Sequence, residues 1–393
     1  MREKKNIYLM YLIIFLQGFV FYGPIATIYR RARGLSLYEI FILSSISLIL
    51  MIVFEIPWGW FADRYGYKRT LILSNFMFFL SKIVFYFADS FLLFLIETLL
   101  MSISISGISG CDIALIYSSI NKEDGEKIIG RYNAAGTAGF FIASFLSTIV
   151  IAKSIDYAAL LTIIPYGLAV FLTLFIKDAN DYSQEKLTLK KSFKNVLNKK
   201  WMLVFVIAIA FVQEVQHMIT VFLNQPQYLK SGINLKYFGI LMAIMQTISM
   251  VSVKAYKLTQ KLGREKSLKM LFLIIGICSF VLSYINSPIL SVLLIATVTG
   301  SFALIHPIAV NIENQSIVTN DRATILSIYA MINNVIAAFI NIIVGKATDV
   351  SIEFAFKTSS IIVFLGFITL IVFFSNYNVI SSGNEDINGE INF

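Results

Sequence analysis

Long apolar runs separated by short polar joints dominate this chain, and none of the runs shows the two-residue alternation of a half-buried strand. Twelve runs are of spanning length: 7–28, 38–62, 71–88, 91–118, 133–152, 156–176, 202–224, 237–256, 268–286, 289–312, 323–345 and 355–374. A bilayer core about 30 Å thick is crossed by roughly 20 helical residues. In hydrocarbon the backbone must satisfy its own hydrogen bonds, which leaves helices or a closed barrel, and continuous runs without alternation favour helices. The expected fold class is therefore an all-α polytopic membrane protein with twelve transmembrane helices and both termini on one side. The N-terminal "MREKKNIYLMYLIIFLQGFVFYG" has a basic start but no small-residue cleavage site after its apolar run, so it reads as an uncleaved first span.

The polar joints set the direction of the spans. With the N-terminus inside, 23 of the 32 lysines and arginines fall on the inner side, as cytoplasmic loops require, which predicts a cell-membrane protein with cytoplasmic termini. Arg30, Arg31 and Arg33 break this trend in the first outer loop. The longest joint, 177–201, divides the chain into bundles at 1–176 and 202–374, with a tail at 375–393. Leu187, Leu189, Phe193, Val196 and Leu197 could lay this linker on the inner leaflet as a helix, or it could be a flexible connection.

Composition agrees: 58% of residues are hydrophobic and 14% charged, against about 25% charged in soluble domains. The net charge of +9 is thus a topological signal, and no soluble basic domain is present for a nucleic-acid partner. Cys111 and Cys278 lie in apolar runs without metal-ligand or redox spacing, so neither metal nor cofactor is expected. No G-x-x-x-x-G-K-[ST] loop is present, and energy must come from a gradient or from the substrate.

The chain repeats itself at half its length. "RGLSLYEIFIL" from Arg33 returns as "SGINLKYFGIL" from Ser231, offset by 198, and "GWFADRYGYKRTL" returns as "YKLTQKLGREKSL", offset by 197. Gly34 thereby matches Gly232, and Gly66 matches Gly263. Two six-helix bundles related by a parallel repeat are predicted, an architecture used for alternating access around a midplane site.

The loop after the second span resembles the signature G-x-L-a-D-r-x-G-r-k-x-x-l of the major facilitator superfamily. Gly59, Phe61, Ala62, Asp63, Arg64, Gly66, Lys68 and Leu71 fill its positions; Tyr67 departs from the usual base, and Arg69 restores the charge nearby. The resemblance implies that the glycines let helix ends approach closely and that Asp63 meets a positive helix terminus or an Arg, locking the inner gate. The stretches "EIPWG", "SGCDIALIY", "QPQYLKSGINLKYFGIL" and "DRATILSIYAMINN" resemble the bacterial drug-efflux branch. The fourth span lacks the Arg of many proton-coupled members, and the fifth, "GRYNAAGTAGFFIAS", lacks the Gly-Pro of many antiporters.

Ionisable residues inside spans are functional hypotheses by default, and the resemblance implies that spans 1, 4, 7 and 10 line the cavity. In the seventh, Gln213, His217, Thr220 and Asn224 follow helical spacing as one polar stripe, with Glu214 beside His217. That carboxyl and imidazole could take up and release a proton, or could form a hydrogen bond that only orients helices. In the tenth, Thr299, His306 and Glu313 recur every seven residues, and Pro307 suits either a hinge or a packing kink. In the fourth, Glu97 and Asp112 lie about 22 Å apart along the axis and could be successive proton stations, although Lys82 at the depth of Glu97 permits a structural ion pair. Gln17 and Tyr22 are possible ligand contacts in the first span. Glu55 suits gate or packing duty more than transport, and Asn333 and Asn334 could face either partner helices or the cavity.

The expected function is a secondary transporter, monomeric, exporting a lipophilic or amphipathic small molecule in exchange for protons. The alternatives are an importer of a nutrient such as a sugar, peptide or organic ion, or a polytopic membrane enzyme. The last would need a nucleophile or metal cluster that no spacing here provides.

Overall fold

The computed structural model describes residues 2–119, 125–177, 200–317 and 322–384, and all regular structure among them is helical. The helices in chain order are α1 Arg2–Gln17, α2 Ala26–Ala32, α3 Leu37–Tyr65, α4 Tyr67–Phe87, α5 Phe91–Ile108, α6 Cys111–Ser118, α7 Gly125–Lys153 and α8 Ile155–Thr173. There follow α9 Lys200–His217, α10 Asn224–Lys230, α11 Phe238–Ser249, α12 Ala255–Leu262, α13 Arg264–Leu282, α14 Pro288–Gln315, α15 Arg322–Val350 and α16 Ile352–Asn384. Among the described residues, ten stretches are long and apolar enough to span a membrane. The other two expected spans are the first, which is broken, and α13, whose opening turn carries Arg264, Glu265 and Lys266. Most of the expected linker, and the tail beyond 384, lie outside the described residues.

Four expected spans are not continuous α-helices. The first breaks after Gln17 and resumes through a 3-10 turn at Gly23–Ile25, where Pro24 has no N–H to offer. The fourth breaks between α5 and α6, where Gly110 takes φ +82°, a conformation costly for any residue with a Cβ. The seventh passes through a π-helix at Met218–Leu223, and the eighth through a 3-10 segment at Met250–Lys254.

The internal repeat is visible in backbone detail. Gly34 and Gly232 have φ of +94° and +84°, and Gly66 and Gly263 have +88° and +76°. Two residues beyond the first pair, Ser36 Oγ accepts from Glu39 N and Asn234 Oδ1 accepts from Lys236 N, each an N-cap. Four residues beyond the second pair, Thr70 Oγ1 donates to Gly66 O at 2.9 Å and Ser267 Oγ donates to Gly263 O at 2.6 Å. Sequence matches too weak to stand alone therefore mark one turn chemistry used twice.

By packing, one compact unit draws its described residues from 1–185 and 224–246, and the other from 186–223 and 247–393. Residues 224–246 join the first unit through specific contacts. Gln225 Oε1 accepts from Thr27 N at 2.8 Å and Ile28 N at 3.2 Å, capping amides that the first turn of a helix leaves without partners. Gly239 lies so near α7 that a Cβ there would sit 2.4 Å from Ser144 O. In the second unit α9 and α13 pack on α16, α13 also on α14, and α9 also on α15.

Candidate functional site

In the second unit α9 is apolar almost throughout, and its last turns carry Gln213, Glu214, Gln216 and His217. Glu214 is buried, and Asn341 Nδ2 of α15 donates to its Oε1 at 2.7 Å. His217 Nδ1 lies 3.5 Å from the same oxygen, with its side chain 45% exposed. The imidazole edge meets the Phe222 ring, 5.5 Å between centroids. Glu214 thus sits between a buried amide and an imidazole open to its surroundings, and the π-helix begins at the next residue after His217. Such segments widen the helical turn and recur at functional sites.

The expected polar stripe runs from the end of α9 into that wider turn. Gln213 is exposed, whereas Thr220 Oγ1 donates back to Gln216 O at 2.9 Å and accepts from Gln216 Nε2 at 3.1 Å. Asn224 is buried, and its Oδ1 accepts from Gln225 N at 2.8 Å in the first unit. Glu214, His217 and Asn341 come together. Asn341 escaped the sequence reading, which pointed to Asn333 and Asn334 on the same helix. An amide recurring within an otherwise apolar run was the available signal.

Charged groups in the first unit are paired differently from the sequence expectation. Glu97 is fully buried and meets Arg30 Nη2 at 3.3 Å, not Lys82. The Arg30 guanidinium lies over Phe85 at 5.1 Å and Phe94 at 5.7 Å. Arg33 Nη2 meets Asp156 Oδ1 at 2.7 Å. Two of the three arginines expected in an outer loop are therefore held by acids.

Lys82, 3% exposed, donates to Tyr22 OH at 3.0 Å and faces the rings of Phe78, Tyr166 and Tyr22 at 4.6, 5.0 and 5.6 Å. Gln17 Nε2 donates to Asn75 Oδ1, and Tyr166 OH donates to Gln17 O at 2.9 Å. Gln17 and Tyr22, expected as ligand contacts, are engaged inside this unit beside the break of the first span. A buried cation without a carboxylate is costly, and apolar replacement of buried charge is often neutral or stabilising. Lys82→Met is therefore expected to melt at or above the wild-type temperature in detergent, within about 1 kcal/mol of it or more stable. A clear fall in melting temperature would show that the aromatic faces outweigh the cost of burial.

Asp112 opens α6, where its Oδ1 accepts from Ile113 N at 2.7 Å and its Oδ2 from Tyr132 OH at 2.9 Å. On α14, Thr299 is buried with its hydroxyl donating to Ile295 O at 2.8 Å, Glu313 is buried, and His306 is exposed, 6.2 Å from the Phe302 ring. The seven-residue spacing therefore yields three different environments, and Pro307 lies inside a helix that continues through it.

In the signature loop, Gly66 makes the turn between α3 and α4. A Cβ on Gly59 would meet nothing within 4 Å, so this glycine provides no close approach among the described residues. Arg64 lies over Trp60 and Tyr65 at 5.4 and 5.5 Å. Asp63 and Arg69 are exposed, Lys68 is partly buried, and Asp63 makes no ion pair among the described residues.

The family model described as Major Facilitator Superfamily matches residues 7–342. The uncharacterized MFS-type transporter YxaM of Bacillus subtilis (strain 168) is 28% identical over 202 residues, 48% of this chain and 49% of that protein. The matched region thus spans about half the length of that relative. Multidrug resistance protein 2 of the same organism is 22% identical over 323 residues, covering 78% of this chain and 79% of that protein. Among solved structures, the nucleoside transporter NupG superposes with a TM-score of 0.79 at 14% identity, covering 95% of this chain and 98% of that one. A D-xylose-proton symporter gives 0.74 at 16% identity, with 94% and 97% covered. At these identities the two structures speak for the fold alone.

Proposed function

The chain belongs to the Major Facilitator Superfamily, a family of membrane transporters and not of enzymes, and from that premise we propose that this multi-pass secondary transporter couples proton movement to export of lipophilic or amphipathic small molecules. The observation that carries the proposal is Glu214, buried within an apolar span and held by Asn341 at 2.7 Å with His217 at 3.5 Å. A carboxyl in that setting is expensive to keep and is a functional group by default.

Glu214 takes up the proton, and His217, half open, passes it between Glu214 and water. Protonation removes the buried charge and relaxes its demand for donors. The adjoining π turn is the natural place for that change to alter the helix. Asp112, held by Tyr132, is the secondary proton station. Glu97, fixed on Arg30, serves structure. Gln213 and His306, both exposed, are candidates for substrate contact. Export is favoured by the sequence stretches that resemble the drug-efflux branch and by the distant relation to Multidrug resistance protein 2. Cytoplasmic termini follow from the placement of 23 of 32 basic residues on one side.

A panel of fluorescent dyes and antibiotics tests this in cells expressing the protein. Collapse of the proton gradient should raise their accumulation, and accumulation indifferent to the gradient would overturn proton coupling.

The signature loop is assigned to gating. Asp63 makes no ion pair among the described residues, and the gating reading gives it one in another state of the cycle. Asp63→Asn should slow turnover about fivefold, the worth of an acid against a helix terminus at about 1 kcal/mol, with substrate affinity unchanged. A purified mutant with wild-type turnover would reduce the motif to a topological anchor.

A further inference from the structure

We propose that Asn341 is a positioning residue that reports the proton on Glu214 by a half-turn of its side-chain amide. The inference rests on the proton-coupling reading of Glu214. Asn341 is fully buried on α15; its Nδ2 donates to Glu214 Oε1 at 2.7 Å, and its Oδ1 is buried with no hydrogen-bond partner among the described residues. Buried acceptors are rarely left idle, and each exception asks for an explanation.

The chemistry of the two partners supplies one. An ionised carboxyl only accepts, so it draws the amide's NH2 and leaves the amide oxygen pointing away. A protonated carboxyl has an O–H to donate. The oxygen and nitrogen ends of the amide are nearly the same size, so a half-turn exchanges them without repacking the fully buried site. Oδ1 then accepts from the Glu214 O–H and the idle acceptor is used, while Nδ2 gives up its bond to Oε1 and turns to the place the oxygen leaves. The present structure holds the amide in the arrangement that suits the ionised form. Hydrogen bonds to an ionised partner are roughly twice as strong as neutral ones, so the amide on balance favours the ionised state.

The helices packed around this carboxyl carry few charged groups. Helix α15 carries Arg322, Lys346 and Asp349, α14 carries His306 and Glu313, α16 carries Glu353 and Lys357, and α13 carries Arg264, Glu265, Lys266 and Lys269. Among the described residues, only His217 lies within ion-pair distance of Glu214.

The test is infrared difference spectroscopy on the purified full-length protein in lipid nanodiscs, stepped through pH without any substrate. The protonated-carboxyl band missing from Glu214→Gln identifies Glu214. In Asn341→Leu this band should appear at about tenfold lower proton concentration than in wild type. Asn341→Asp, which keeps the shape but adds a second carboxyl, should move it in the same direction and stands in if the leucine variant does not fold. In the wild-type minus Asn341→Asp difference, an amide carbonyl signal should follow the same titration as the Glu214 band. A Glu214 band unmoved in both variants overturns the role of Asn341. A silent amide signal overturns the half-turn. Absence of any titrating band assignable to Glu214 instead removes the proton-coupling reading on which the inference rests.

Discussion

Glu214→Gln is expected to abolish gradient-driven transport while leaving a folded protein. Glutamine has the same shape, and its amide oxygen can still accept from Asn341 Nδ2, which donates to Glu214 at 2.7 Å in the wild type. The replacement weakens a charge-assisted hydrogen bond to a neutral one, a loss of about 1 kcal/mol, and relieves the burial of a charge. Stability should therefore change little. The side chain can no longer gain or lose a proton, so the step that ties substrate movement to the gradient has no carrier. In inverted membrane vesicles, dye movement driven by an imposed proton gradient should fall to background. Exchange of labelled for unlabelled dye, which needs no net proton transfer, should persist. His217→Ala should slow the driven process without eliminating it, because His217 stands 3.5 Å from the carboxyl and its proposed part is to relay the proton that Glu214 carries. Gradient-driven movement surviving in Glu214→Gln would dismiss Glu214 as the proton group.

Much of this architecture was legible in the sequence because the bilayer makes simple demands. Twelve apolar runs of spanning length gave the helices, and the glycine pairs Gly34 with Gly232 and Gly66 with Gly263 gave the repeat, later visible as paired positive φ values between +76° and +94°. The breaks were less legible. Spacing arguments assume a uniform helical pitch, and the π-helix at Met218–Leu223 departs from it, a change that apolar and polar periodicity does not announce. Partner choice was hidden for another reason. Equal depth allowed Lys82 to meet Glu97, but depth says nothing about rotation around a helix, and Arg30 reaches Glu97 from another segment at 3.3 Å. Asn341 lies 127 residues from Glu214, a contact that no local pattern encodes.

Gly139→Val should prevent the first unit from assembling. This glycine lies in "GRYNAAGTAGFFIAS", where neither the signature loop nor any polar stripe draws notice. A Cβ at Gly139 would sit 2.1 Å from Phe15 O, 3.1 Å from Phe15 C and 3.3 Å from Gly18 Cα. The approach is reciprocal, since a Cβ on Gly18 would lie 2.5 Å from Gly136 O and 2.7 Å from Phe140 N. These are backbone atoms, so no rotamer change relieves the overlap, and α1 and α7 would have to separate along their contact. Overpacking that side chains can absorb costs about 1–3 kcal/mol; an overlap of main chain with main chain exceeds that range. The same separation would pull on Gln17 and Tyr22, which flank the break of the first span and hold Asn75 and Lys82. A fluorescent fusion of Gly139→Val, extracted in detergent, should elute as aggregate on size exclusion. Gly59→Ala provides the contrast, because its Cβ would meet nothing within 4 Å and alanine is favoured over glycine within a helix by about 1 kcal/mol. That variant should elute as a single species and melt no lower than wild type. A monodisperse Gly139→Val with a wild-type melting temperature would mean that α1 and α7 do not touch main chain to main chain, and the helix contact that places the broken first span would have to be redrawn.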